Sequence, residues 1–166
     1  EHPRAAFFPG SSIGNFEPMD ATRLLTRIGQ LLGPGGRLLI GVDLVKDAGR
    51  LEAAYDDSDG VTAAFNLNLL TRINRELGAD FDLDAFRHRA FFNAELSRIE
   101  MHLLSTRTQR VAVAGQLFDF AEGESIHTEC SYKYRTDGFH ALAAEAGFSA
   151  EEVWTDPDGL FSVHCL

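Results

Sequence analysis

Residues 37–44 read Arg-Leu-Leu-Ile-Gly-Val-Asp-Leu, a nearly continuous apolar run. A strand with water on one face alternates apolar and polar residues, so an unbroken run of this length is expected only in a parallel sheet covered on both faces. What precedes it agrees. Ala5-Ala6-Phe7-Phe8 reads as a short buried strand stopped by Pro9-Gly10, and Ser11-Ser12-Ile13-Gly14-Asn15 forms a small polar turn. Pro18 suits the first turn of a helix whose stripe of Leu24, Leu25, Ile28, Leu31 and Leu32 ends at Gly33-Pro34-Gly35-Gly36. Strand, helix and strand in this order predict a βαβ unit, and an α/β fold class.

The middle of the chain changes character. Residues 47–56 read as helical, and Val61, Phe65, Leu69, Ile73 and Leu77 recur every four residues as the stripe of a longer helix ending at Gly78. The period then becomes two. Ile99, Met101 and Leu103 alternate with Arg98, Glu100 and His102; Val111 and Val113 follow, then Ile126, Thr128, Cys130, Tyr132 and Tyr134. These predict antiparallel strands with one wetter face. A final helix opens near Thr136, turns Phe139, Leu142, Ala143 and Ala146 inward and closes at Gly147. Strands over 149–155 and 160–166 are joined by Asp156-Pro157-Asp158-Gly159, a hairpin turn.

Composition narrows the partners. Twenty-five acidic against fifteen basic residues leave a net charge of −10, which repels phosphate backbones and anionic lipid, so neither nucleic acid nor a membrane is an expected partner. Two cysteines, Cys130 and Cys165, are too few for a disulfide framework, and the sequence holds no signal peptide or long apolar span. A cytoplasmic protein with reduced thiols is expected. The chain enters its first strand almost at once from Glu1-His2-Pro3-Arg4, without an initiator methionine, and reads as a piece of something longer.

Several patterns suggest chemistry. Gly10-Ser11-Ser12-Ile13-Gly14 matches the nucleophile elbow of serine hydrolases, with Ser12 as nucleophile, His164 as base and Asp156 or Asp158 as its orienter. Against this, Asn15-Phe16-Glu17-Pro18 delays the helix that an elbow launches, and nothing upstream supplies an oxyanion loop. Gly33-Pro34-Gly35-Gly36 follows a helix and precedes a strand, so it reads as a turn and not a phosphate cradle. Asp80-x-Asp82-x-Asp84 lacks the glycine and glutamate of a calcium loop, and the histidines show no metal-ligand spacing, so no metal is predicted.

On a strand, Glu129 and Ser131 share one face, about 7 Å apart by backbone spacing, close enough to clasp a small polar ligand such as an imidazole. The plainer reading of the same residues is a solvated face that also carries Lys133. Asn15, at the mouth of the first strand, can hold an ammonium or a carboxylate, or simply form the turn; Tyr55 can offer its phenol to a carboxylate, or simply pack.

Taken in order, Phe7-Phe8-Pro9-Gly10-Ser11-Ser12-Ile13-Gly14-Asn15-Phe16, the turn before Arg37-Leu38-Leu39-Ile40-Gly41-Val42-Asp43, Ala54-Tyr55-Asp56, Phe65-Asn66-Leu67-Asn68 and Ile126-His127-Thr128-Glu129-Cys130-Ser131-Tyr132-Lys133-Tyr134 resemble the histidine-specific, S-adenosylmethionine-dependent N-alpha-methyltransferases of ergothioneine biosynthesis. The resemblance covers nearly the whole chain. It implies the C-terminal half of a Rossmann-like class I methyltransferase fold: residues 1–46 and 136–166 form part of the core, and residues 47–135 an inserted α+β substrate-binding domain. It implies an amino-acid substrate, histidine or a relative, held by Asn15 and Tyr55 at its amine and carboxylate and by Glu129 and Ser131 at its imidazole. Gly10 and Ser11 then lie where cofactor and substrate meet. No G-x-G-x-G stretch is present, so most of the S-adenosylmethionine site is expected elsewhere; alone, this polypeptide would be an inactive binding or assembly module. Half a sheet also leaves an open edge near residues 5–8, which predicts dimerisation or strand exchange.

Overall fold

Contacts divide the chain into two units: residues 1–47, 93–98 and 130–166, and residues 48–92 and 99–129. The computed structural model describes residues 3–166; the first two residues of the expected 1–46 segment lie outside it.

The first unit is built on a four-stranded sheet. Its strands are β1 (Ala5–Phe8), β2 (Arg37–Asp43), β8 (Glu152–Thr155) and β9 (Phe161–Cys165), in the order β1-β2-β9-β8. β1 and β2 are parallel, with Phe7 opposite Leu39, whereas β9 runs antiparallel to both β2 and β8. Helix α1 (Pro18–Leu32) joins the parallel pair, with Pro18 in its first turn and Gly33 at its end with φ 74°. Helix α4 (Thr136–Glu145) precedes the β8–β9 hairpin. One core gathers Ala21, Leu25 and Leu32 of α1, Leu38, Ile40 and Val42 of β2, and Phe139 and Ala143 of α4. Leu31, expected in the α1 stripe, is instead 70% exposed.

Full coverage of the sheet is a second expectation that needs correcting. The even residues of β2 are buried completely, but the opposite face, which carries Phe7, Leu39, Val163 and Trp154, leaves Phe7 and Trp154 exposed. β1 is also an edge strand among the described residues.

The second unit contains α2 (Ala48–Tyr55), α3 (Val61–Leu77) and a hairpin of β5 (Gln109–Val113) and β6 (Gln116–Phe120). It also holds most of a three-stranded sheet ordered β3 (Phe86–Asn93), β4 (Arg98–Ser105) and β7 (Ser125–Tyr132). Its cores are Leu70, Phe81, Phe86, Leu103 and Val111 in one cluster, and Leu51, Ile99 and Met101 in another.

Helix α3 does not bury the expected stripe. Val61, Phe65 and Leu77 are exposed, and the buried positions are Asn66 and Leu70, flanked by Leu67 and Ile73. The reason is geometric: at 3.6 residues per turn a strict four-residue spacing drifts by about 40° per step, so five such positions wrap about 160° around the helix. Residues 66, 67, 70 and 73 follow the i, i+4, i+7 rule of one face. Asn66 is fully buried, and its amide donates to His88 Nδ1 at 2.9 Å and to the His102 carbonyl at 3.2 Å. No helix among the described residues is long and apolar enough to cross a membrane.

Candidate functional site

The chain leaves β1 through two successive left-handed residues, Gly10 with φ 78° and Ser11 with φ 57°. A serine pays for that conformation unless something holds it. Here the Asp43 backbone N–H donates to Ser11 Oγ at 2.7 Å, tying the turn to the end of β2. Gly41 permits the approach, because a Cβ there would lie 2.8 Å from the Phe161 ring and 3.2 Å from the Gly10 nitrogen. Gly10 itself faces open space, with no atom within 4 Å of where a Cβ would stand. A single 3-10 turn, Ser12–Asn15, follows; it buries Ile13 and Gly14 and leaves Asn15 exposed at its end.

Against this turn packs the end of β7. Gly14 sits so close to it that a Cβ would be 2.7 Å from the Tyr132 carbonyl oxygen and 3.5 Å from Ser131 Oγ. On the same strand face, Lys133 Nζ donates to Ser131 Oγ at 2.9 Å and pairs with Asp43 Oδ2 at 2.8 Å. Lys46 Nζ reaches the other oxygen, Asp43 Oδ1. Ser131 is 4% exposed and Lys133 3%, which overturns the solvated-face reading at these two positions. Because an ammonium only donates, Ser131 Oγ must accept from it, and the hydroxyl proton is turned away from Lys133.

The opposite face of β7 anchors the same region. Tyr132 OH donates to Glu17, just before α1, and Arg98 Nη1 donates to both Glu17 Oε1 and Tyr132 OH at 2.8 Å. Burial, and then the Glu17 carboxylate, push the Tyr132 phenol above its ordinary value.

The structure thus links Ser11, Asp43, Lys133 and Ser131, with the Gly14–Asn15 turn packed on them, inside the first unit. Sequence patterning places Lys133 on this face only as a solvated residue and does not single out Asp43 or Lys46, although an acidic residue closing a parallel strand was a usable signal. Tyr55 and Glu129 belong to the second unit. Tyr55, half-buried at the end of α2, packs against the Leu51, Ile99 and Met101 cluster, and its carbonyl accepts from His88 Nε2 at 2.8 Å. Glu129 is half-buried on β7, and its carbonyl accepts from His127 Nε2 at 3.0 Å.

The hydrolase elbow has no support. His164 is fully buried and bonds Ser162 Oγ at 2.8 Å and His140 Nε2 at 2.9 Å, while Ser12 is exposed on the 3-10 turn. Asp156 accepts from the backbone N–H groups of Asp158, Leu160 and Phe161, so it shapes the hairpin and does not orient a histidine. Burial, and then repulsion from His140, hold His164 at about 4, below the ordinary 6.5. The unfolded chain therefore takes up this proton first as pH falls. Stability is expected to drop between pH 6.5 and 4, by at most about 3 kcal/mol. Urea midpoints at several pH values should show this slope, and His164→Gln should flatten it; an unchanged slope would refute the assignment.

Comparisons with known proteins identify the family. A family model described as "Histidine-specific methyltransferase, SAM-dependent" matches residues 1–166. The Histidine N-alpha-methyltransferase of Mycolicibacterium smegmatis is 50% identical over 162 residues, covering 96% of this chain and 50% of that protein. Ergothioneine biosynthesis protein 1 of Neurospora crassa is 31% identical over 160 residues, covering 88% of this chain and 17% of that protein. The chain thus spans about half the length of the first of these relatives and less of the second. Among solved structures, the CcbJ methyltransferase from Streptomyces caelestis matches with a TM-score of 0.50 at 11% identity, over 97% of this chain and 55% of its own, a likeness of α/β fold. With the family model spanning every residue, this chain belongs to the S-adenosylmethionine-dependent, histidine-specific methyltransferase family.

Proposed function

We propose that this chain is the acceptor-binding portion of an enzyme that transfers methyl groups from S-adenosylmethionine to the α-amino nitrogen of histidine or a closely related amino acid, in the manner of ergothioneine biosynthesis. The observation that carries the reading is the Lys133–Ser131 contact. A buried ammonium that turns a serine hydroxyl into a donor is what a site needs to bond the bare nitrogen of a neutral imidazole, whose other nitrogen offers an N–H to a carboxylate. Ser131 and Glu129 take those two roles in this proposal. Asn15, with an amide that both donates and accepts, takes the amine and carboxylate, and Tyr55 the carboxylate; residues 48–92 and 99–129 act as the substrate-binding insert.

S-adenosylmethionine, when bound, supplies an electrophilic methyl group. The described residues fit it only in part: the open space at Gly10 and the adjoining Ser11 turn would admit one side of the cofactor. The remaining work of this chain is positional. The attacking amine must be neutral and aimed, and an amide oxygen at Asn15 can accept one of its N–H bonds and steer the lone pair. The exposed edge of β1 and the face carrying Phe7 and Trp154 leave room for a further strand and layer, from the rest of such an enzyme or from strand exchange with a second copy.

The test is calorimetry on the full-length enzyme. Glu129→Ala should weaken histidine binding by roughly 10- to 100-fold, the loss of a charged hydrogen bond, and leave S-adenosylmethionine binding within about twofold. Equal losses for both ligands would refute the reading.

A further inference from the structure

The second unit holds a cluster that the methyl-transfer reading does not use. Glu100 and His102 are two residues apart on β4 and so share one face of the sheet. β7, the neighbouring strand, brings His127 to that face: the rings of His102 and His127 stack with centroids 4.6 Å apart and planes 10° from parallel. One donor atom from each of the three side chains lies within 4.8 Å of the other two. The histidines are distant in sequence, which is why their spacing along the chain carries no metal signature.

The outer contacts fix the second nitrogen of each ring, while the stack itself keeps the two ring planes parallel, so one ring must turn out of it before both can face a single ion. His127 Nε2 points at the Glu129 carbonyl at 3.0 Å, which fixes its proton there and leaves Nδ1 as a lone pair. His102 Nδ1 meets Ser125 Oγ at 3.1 Å, while Nε2 turns toward Glu100 Oε2 at 3.2 Å. Phe91 of β3 stacks on His102 from 5.5 Å and restrains its ring. Metal-bound histidines use their second nitrogen in this way, and the partner sets the tautomer. Glu100 is 7% exposed and brings a carboxylate oxygen to this cluster away from bulk water. His127 is exposed, which provides an entry path.

We propose that Glu100, His102 and His127 form a site for a divalent transition-metal ion of the zinc type, with two imidazoles, one carboxylate and an exchangeable fourth position. Two nitrogens and one oxygen select zinc, nickel or copper over magnesium or calcium. Bonds of about 2.0 Å place tetrahedral ligands about 3.3 Å apart, so on loading the donors close by up to about 1.5 Å and the exposed His127 ring rotates out of its stack on His102 to bring its lone pair to the ion. This inference stands independently of the proposed methyl transfer.

The untagged 166-residue chain is titrated with Zn²⁺ by calorimetry, and with Co²⁺ followed by visible absorption. The expected result is one equivalent bound, with an intense Co²⁺ band of tetrahedral type and no heat from Mg²⁺. His127→Ala removes an exposed side chain; with an unchanged thermal midpoint as the check on folding, it should weaken Zn²⁺ binding at least tenfold and abolish the band. Ser125→Ala, which removes only an orienting contact, should weaken binding about tenfold, and His140→Ala, in the other unit, should have no effect. Zn²⁺ affinity equal in the native chain and in His127→Ala would overturn the proposal, as would a Co²⁺ spectrum without the band.

Discussion

Asp43→Asn should cost the chain about 3 kcal/mol of folding stability, the loss expected when one member of a buried ion pair is neutralised, and lower its Tm by about 6–12 °C. The substitution keeps the shape of the side chain and leaves the backbone N–H that bonds Ser11 in place, so only the charge is tested. That charge lies between two ammonium groups, Lys133 with a side chain 1% exposed and Lys46 at 15%. Without it both ammonium groups lose the carboxylate they share at the end of β2. An exposed pair would contribute at most about 1 kcal/mol and would weaken in salt, whereas this one should respond little to added salt. Combining Asp43→Asn with Lys133→Met removes both the carboxylate and the most buried ammonium, so the double variant should be more stable than Asp43→Asn alone. Thermal and urea melts check both points. A loss below about 0.5 kcal/mol, the range of ordinary surface changes, would mean that the network contributes nothing to the fold.

Gly14→Ala should be nearly as damaging, by about 2–3 kcal/mol, because it forces an atom into a space that is already filled. The new Cβ would stand 2.7 Å from the Tyr132 carbonyl oxygen, and that oxygen belongs to the backbone of a strand held by Glu17 and Arg98, so it cannot swing aside as a side chain would. The 3-10 turn must therefore move, and with it Asn15, the next residue. If the proposed histidine site is right, its affinity for histidine in the full-length enzyme should fall together with stability. Gly138→Ala provides the control: in α4, with nothing within 4 Å of its Cβ position, it should be neutral or slightly stabilising. Equal urea midpoints for the two variants would refute the packing argument.

Local patterning accounts for much of the architecture. β1, α1, β2, α4 and the terminal hairpin fall within a few residues of where apolar patterning and turn chemistry predict them, because Pro or Gly punctuates the chain next to each apolar run or stripe. β3 escaped notice: Arg87, His88 and Arg89 interrupt its apolar signal, although His88 turns inward to bond Asn66 and the Tyr55 carbonyl. β6 was missed as well, since Gln116–Phe120 is short and mostly exposed. In α3 the helix is legible and its buried face is not, because the conspicuous apolar residues at four-residue spacing drift around the helix while the buried face is shared with the polar Asn66.

The candidate site divides along the same line. Strand alternation alone put Ser131 and Lys133 on one face, and the order of short motifs along the chain pointed to the methyltransferase family. Whether that face met water or a carboxylate was not written in the strand. It depended on β7 arriving beside the end of β2, where Asp43 neutralises Lys133 and Lys133 in turn directs the Ser131 hydroxyl. Stereochemical periods are local and survive in a one-dimensional string. The burial of a charge and its partner depends on long-range pairing, so it appears only when the chain has closed on itself.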